Sequence, residues 1–281
     1  MKLTIGSVQF GLPYGVSNVV GKVSPCEVEK IITLARKRNV DMIDTAISYG
    51  DSESVLGLVG VNDFEVITKL PALPDNLTDF SGWVERQVEG SLVRLKKNSI
   101  HGLLVHHAES LEGSDGEKLG LALDKMKNSG MIEKIGVSIY EPSVLDKITQ
   151  NARIDIVQAP FNAVDTRIMS SGWLDKLDET GVEVHVRSIF MQGLLLMSRS
   201  SIPDKFNRWS FLWNQWHENL NNHGLDALTQ CISFVNSISK IDRIVVGIES
   251  AVQLQEILDA IELRVNPIDW TEMTCNDDML I

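Results

Sequence analysis

The stretch VDMIDTAISYGDSESVLGLVGVNDFEVITKL, residues 40–70, decides the fold because it holds one complete strand, helix and strand unit. Residues 42–46 form a short apolar run, 52–59 read as a helix, and 64–69 are apolar again. Runs this short and this continuous suit parallel strands covered on both faces. Each also carries groups that burial penalises: Asp44 inside the first run, Tyr49 just after it and Lys69 ending the second. An unpaired buried charge is costly, so these residues are expected to meet one another and to work together.

Outward from this unit the pattern repeats. Further apolar runs lie at 3–10, 103–106, 135–138, 154–159, 182–188 and 244–247, making eight with the first two. Helical periodicity fills 24–39, 79–96, 116–129, 142–149, 168–179, 226–237 and 252–261. The first of these starts on a capping box, Ser24-Pro25-Cys26-Glu27, with Pro at the first helical position. Glycines at 11, 15 and 21 mark a loop after the first strand. Eight alternating units predict an α/β fold of the (β/α)8 TIM barrel type. An open doubly wound sheet is the competing topology, but no GxGxxG follows the first strand.

The chain has 281 residues, and barrels of this kind average about 250, so one domain over 1–281 is expected. Two segments depart from the repeat: an excursion at 189–224 and a tail from Arg264. Trp209, Trp213 and Trp216, spaced i, i+4 and i+7, read as the buried stripe of an amphipathic helix, the alternative being an aromatic wall facing substrate. The tail, with Trp270, Met273 and Met279, either folds over the barrel mouth or stays loose.

Hydrophobic residues make up 43% and charged ones 23%, the composition of a globular protein with a sizeable core. The net charge of −12 speaks against nucleic acid or an anionic membrane surface as a partner. Cys26, Cys231 and Cys275 form no CxxC pair, so no zinc site is expected and a reducing compartment fits. No apolar stretch approaches the roughly 18 residues of a membrane span. A cytoplasmic protein acting on a small molecule is the expectation, with oligomeric state left open.

In such barrels every strand delivers its C-terminal end to one face, where the active site lies. Asp44, Tyr49, Lys69 and His106, the last following the run 103–105, are all placed at that face. A tyrosine hydroxyl titrates near pH 10 unless a neighbouring cation lowers it. Lys69 is a candidate cation, Asp44 a group to keep it charged, and His106 a donor to orient a substrate oxygen. Singly, Asp44 and Lys69 also read as a structural ion pair, Tyr49 as an ordinary ring, and His106 or His107 as a core histidine.

These motifs resemble those of the aldo-keto reductase family. IDTAISYGDSESVLG (43–57) is similar to the family's block with Asp and Tyr five residues apart, VITKL (66–70) to its lysine strand and GLLVHHAES (102–110) to its histidine strand. IGVS, VQAPFN, RSIFMQGLLL and VVGIESAVQLQE resemble further blocks, and the likeness covers about residues 3 to 262. RSIFMQGLLL in particular resembles a bacterial subgroup often found among sugar and cell-surface polysaccharide genes.

The resemblance implies an NAD(P)H-dependent reduction of an aldehyde, ketone or sugar carbonyl, with Asp44, Tyr49, Lys69 and His106 as the catalytic tetrad and Tyr49 as proton donor. It implies that Ser138 and Gln158 bond the nicotinamide carboxamide, with Ile139 standing where Asn is common. Arg187 matches a position where an aromatic ring often stacks on the nicotinamide. Ser188, Phe190, Gln192 and Gly193 match the pyrophosphate loop. Gly247, Glu249, Ser250 and Gln253 match the adenosine phosphate loop, which here holds no Lys or Arg and one carboxylate. That implies NADPH or NADH as cofactor, with NADPH not strongly preferred, unless Arg243 or another basic residue reaches the 2′-phosphate. The alternatives are a non-catalytic nicotinamide-binding regulatory barrel and a lyase or isomerase forming a Schiff base on Lys69.

Overall fold

Strands β1 (Leu3–Gly6), β2 (Met42–Asp44), β3 (Glu65–Leu70), β4 (Ile100–Val105), β5 (Ile132–Ser138), β6 (Ile156–Pro160), β7 (Glu183–Arg187) and β8 (Arg243–Gly247) pair in parallel, in sequence order, and close on themselves. This (β/α)8 barrel comes from a computed structural model that describes residues 2–263 and, beyond them, Val265, Ile268, Trp270, Met273, Cys275 and Leu280. Helices α1 (Pro25–Lys37), α2 (Ser52–Val59), α3 (Phe80–Leu95), α4 (Gly113–Asn128), α5 (Leu145–Ile148), α6 (Trp173–Thr180), α7 (Ser210–His223), α8 (Ala227–Ser237) and α9 (Ala251–Glu262) join the strands. Among the described residues no helix is long and apolar enough to cross a membrane.

The strands bury both faces. One apolar core lies between sheet and helices, through residues such as Ile5, Ile43, Val66, Leu103 and Val157. A second, separate layer of Met42, Ile67, Leu104 and Ile156 plugs the barrel itself. Side chains alternate along a strand, so the residue two positions further on faces inward again, one layer nearer the C-terminal end. From those four plug residues, that step leads to Asp44, Lys69, His106 and Gln158.

Two expectations need correction. The first strand ends at Gly6 rather than residue 10, and a helical turn, Val8–Gly11, follows. The chain bends because Ser7 turns its N–H and Oγ onto the Asp44 carbonyl, at 3.0 and 2.9 Å. The helix expected over 168–179 is interrupted: Arg167–Ser170 and α6 are separated by Gly172, whose φ of +79° no helix continues through. Over the helical stretch expected at 142–149, a 3-10 turn, Pro142–Val144, leads into α5.

The excursion packs as an amphipathic element. Trp213 and Trp216 on α7 are fully buried, and their Nε1 atoms donate to the Phe206 and Leu195 carbonyls at 3.0 Å each. Trp270 of the tail lies against Trp216, ring centroids 4.5 Å apart, and Cys275 N–H donates to Val164 O at 2.8 Å. Arg264 and Met279 lie outside the described residues.

Candidate active site

A cavity of about 390 Å³ opens at the C-terminal ends of the strands. Asp44, Tyr49, His106, Ser138, Gln158, Arg187, Ser188, Phe190, Gln192, Gly193, Gly247, Glu249 and Gln253 all line it. Register explains the convergence: Gly6 pairs with both Asp44 and Gly247, and Ser138 with Gln158, so these residues stand at matching heights around the rim. Of the residues singled out in the sequence, Lys69 and Ser250 do not reach the cavity wall.

Lys69 is held behind the wall by the partners of its ammonium. Only 1% exposed, it donates to Asp44 Oδ2 at 2.5 Å and to the Thr45 carbonyl at 2.9 Å. Its Nζ lies 5.1 Å from the centroid of the Tyr49 ring, so the cation does face the phenol. The second Asp44 oxygen accepts from Gln158 Nε2 at 2.7 Å. Gln158 therefore spends its amide N–H on the carboxylate and keeps its carbonyl for another donor.

Tyr49 sits on a turn that packs unusually close to the first loop. A Cβ at Gly11 would lie 1.7 Å from the Tyr49 carbonyl oxygen, so only glycine lets the two backbones approach. Beneath them Ser52 Oγ bonds Ser7 and Thr45, a buried polar knot that fixes the turn. The His106 ring meets Tyr49 edge-on, centroids 5.9 Å apart, and its Nδ1 lies 3.3 Å from Ser48 Oγ. Burial, reinforced by the Lys69 charge and the His107 imidazole, lowers the His106 pKa to about 4. The ring is thus neutral at ordinary pH, and in the tautomer in which Nδ1 accepts from Ser48 Oγ its Nε2–H is left to donate. His107 is exposed and lines no part of the cavity.

The opposite half of the cavity is built from loops. Ser188, Met191 and Gln192 all take positive φ, ahead of Gly193 at +94°, a left-handed run that is costly outside function. The Gln192 carbonyl accepts from Val16 N–H at 3.0 Å and Ser17 N–H at 3.3 Å, tying this loop to the glycine-rich loop after β1. At the start of α9, Ser250 caps Gln253 N–H at 3.1 Å while Gln253 Oε1 accepts from Glu249 N–H at 2.7 Å. Ile139 is buried, with its side chain in the core. Arg243 lies at the far end of the barrel, paired with Asp41 at 2.6 Å and Glu65 at 3.4 Å, and so stands away from the phosphate loop. Among the described residues no group of His, Cys, Asp and Glu could hold a metal ion.

The Aldo/keto reductase family model matches residues 2–276. The chain belongs to the aldo/keto reductase family. It is an NAD(P)-dependent oxidoreductase. It is 26% identical over 223 residues to an aldo-keto reductase of Mycolicibacterium vanbaalenii, covering 66% of this chain and 77% of that one. It is 27% identical over 180 residues to the 6-dehydroglucose reductase of Agrobacterium fabrum, covering 57% and 60%. Among solved structures, an aldo-keto reductase of Bacillus halodurans in its holo form aligns with a TM-score of 0.74 at 19% identity, over 97% of this chain and 89% of that one. At that identity the likeness shows the shared fold.

The mouth of this aldo/keto reductase suits a nicotinamide dinucleotide. Gln9 lines it with a buried Oε1 that has no partner among the described residues, an acceptor for a hydroxyl or amide donor. Gly247 leaves the space beside it clear, since a Cβ there would come within 2.6 Å of Gln9 Nε2. Gln9 is not legible as a site residue in the sequence, because Val8 and Phe10 on either side extend the apolar run. Glu27 was also missed as a site residue; its Oε1 accepts from Ala251 N–H at 2.9 Å, at the first turn of α9.

Proposed function

We propose that this enzyme reduces an aldehyde, ketone or sugar carbonyl, with Tyr49 as the general acid. The observation that carries the reading is the buried ammonium of Lys69, fixed by Asp44 and facing the Tyr49 ring from outside the cavity. A cation there stabilises the phenolate left when Tyr49 gives up its proton. Neutral His106 donates Nε2–H to the carbonyl oxygen and orients it toward Tyr49. Ser138 and the carbonyl of Gln158 would hold the nicotinamide carboxamide, and Ser188, Phe190, Gln192 and Gly193 the pyrophosphate. The reduced nicotinamide, when bound, supplies the hydride. The similarity to the 6-dehydroglucose reductase supports including sugars among the candidate substrates.

NADH is at least competitive with NADPH in this reading. Near Gly247 the cavity presents the Glu249 carboxylate and, among the described residues, no Lys or Arg, and Glu27 already occupies the first amide of α9. The free cysteines Cys26, Cys231 and Cys275 accord with a cytoplasmic setting. The Schiff-base alternative is disfavoured because Lys69 is paired and does not line the cavity.

The test is loss of reduced-cofactor absorbance with a panel of aldehydes, ketones and sugars, alongside fluorescence titration of both cofactors. Tyr49→Phe is expected to lower turnover by roughly 10²–10⁴-fold while leaving cofactor affinity intact. Near-normal turnover in that variant refutes the assigned role. Binding of cofactor with no turnover of any carbonyl would favour the regulatory barrel instead.

A further inference from the structure

We infer that the substrate of this enzyme carries an anionic group, a carboxylate or a phosphate, and that Arg187 is the residue that holds it. The inference rests on the carbonyl-reductase reading of the same mouth. Among the described residues Arg187 is the one Lys or Arg lining the catalytic cavity. Its guanidinium is half-buried, lies 4.3 Å from the centroid of the Tyr140 ring and, among the described residues, donates only to the Ile139 carbonyl at 3.2 Å and Ser188 Oγ at 3.3 Å. None of these partners is charged. A guanidinium has five N–H donors in a planar fork matched to carboxylate and phosphate oxygens, so this one retains both charge and donors for a ligand.

Asp165, a carboxylate within reach of the Arg187 charge, is already taken. Asp165 accepts from Arg167 Nε and Nη2 at 2.9 Å each, and Arg167 also pairs with Glu141. Arg187 further stands on the wall between the catalytic cavity and a second one of about 450 Å³, which shares Tyr14, Tyr140, Ser188 and Gln192 with the first. That second cavity is bordered by Lys205 and Arg208 from the excursion. Among the described residues Arg187 is thus the cation common to both cavities, on a chain whose net charge is −12, while the catalytic cavity also holds Glu249 and the Lys69-paired Asp44. A guanidinium so placed draws anions toward the mouth against the repulsion of the rest of the surface. Tyr140, 62% exposed, leaves its other face to solvent and serves to keep the guanidinium plane in place.

The test compares matched carbonyls: 4-carboxybenzaldehyde with its neutral isostere 4-nitrobenzaldehyde, and glyceraldehyde 3-phosphate with glyceraldehyde. In the unaltered enzyme the anionic member of at least one pair is expected to be preferred in kcat/KM, and its preference to fall as salt rises; which pair responds separates carboxylate from phosphate. Arg187→Gln is expected to lower the anionic-to-neutral ratio by roughly 30-fold, the scale of a hydrogen-bonded charge contact, and Arg187→Lys to restore part of it. NADH affinity of each variant is read separately by fluorescence. A ratio unchanged by Arg187→Gln, with NADH binding weakened instead, assigns the arginine to the cofactor and overturns the inference. Terephthalate and its diamide, titrated against the NADH complex, supply a binding readout. If no carbonyl turns over but terephthalate binding depends on Arg187, the anion site stands and the reductase reading fails; equal binding of both compounds overturns the anion site.

Discussion

The carboxylate of Glu27, on the first turn of α1, accepts the backbone N–H of Ala251 at 2.9 Å, on the first turn of α9. A helix N-terminus favours an anion, and here the protein provides its own. That amide holds the Glu27 carboxyl below its usual range, with Lys30 adding to the effect. An added phosphate at this turn must displace one carboxylate and approach Glu249. Glu27→Gln is therefore expected to tighten NADPH relative to NADH by roughly 3–10-fold, the range for one charge at a helix end. Cofactor fluorescence titrations measure the ratio, and equal shifts for both cofactors refute the discrimination.

Asp44 and Lys69 are 3% and 1% exposed and satisfy each other, with Gln158 and the Thr45 carbonyl completing the set. Removing one partner leaves the other charged and buried without a counter-charge. Asp44→Asn and Lys69→Met are each expected to lower unfolding stability by about 3–5 kcal/mol, in addition to their effect on turnover. Urea unfolding of the two variants gives the answer. A loss below about 1 kcal/mol would mean that water reaches the pair.

With its pKa at about 4, His106 does not titrate in the range where a free histidine does. The sign follows from linkage: the folded value lies below the ordinary 6.5, so the unfolded chain takes up the proton first as pH falls. Stability from neutral His106 is complete above pH 6.5 and is lost as pH falls from there toward 4. The kcat/KM profile should accordingly show no inflection from this group near 6.5. Following the His106 ring proton by NMR locates the midpoint, and one above pH 6 contradicts the burial argument.

Much of this site is written in the alternation of single strands. Met42, Ile67 and Leu104 plug the barrel, and two residues on come Asp44, Lys69 and His106, polar groups that a core would otherwise reject. Depth was not legible, because nothing in VITKL says that Lys69 stops behind the wall. Nor were contacts between distant segments: the Gln158–Asp44 bond spans 114 residues and the Glu27–Ala251 bond 224. Glu27 read only as part of a helix cap, which it also is, since the Ser24 side chain accepts from its N–H. Gln9 was hidden by apolar neighbours, and the bend that aims it depends on Ser7 meeting Asp44.

Ile139 offers the sharpest separation of sequence pattern from packing. Ser138 before it ends β5 and faces the cavity, so alternation turns Ile139 the other way, and its side chain is 1% exposed within the main core. Only its backbone serves the site, through the carbonyl that accepts from Arg187 Nη2. Ile139→Asn, which recreates the residue pair common in the family, would bury an amide among hydrocarbon neighbours. The expected result is a stability loss of about 3 kcal/mol or more, from lost apolar burial plus an unsatisfied polar group, with no gain in cofactor affinity. Thermal unfolding and an NADH titration measure the two halves. Tighter NADH binding at unchanged stability would show that residue 139 turns into the mouth when the cofactor is bound.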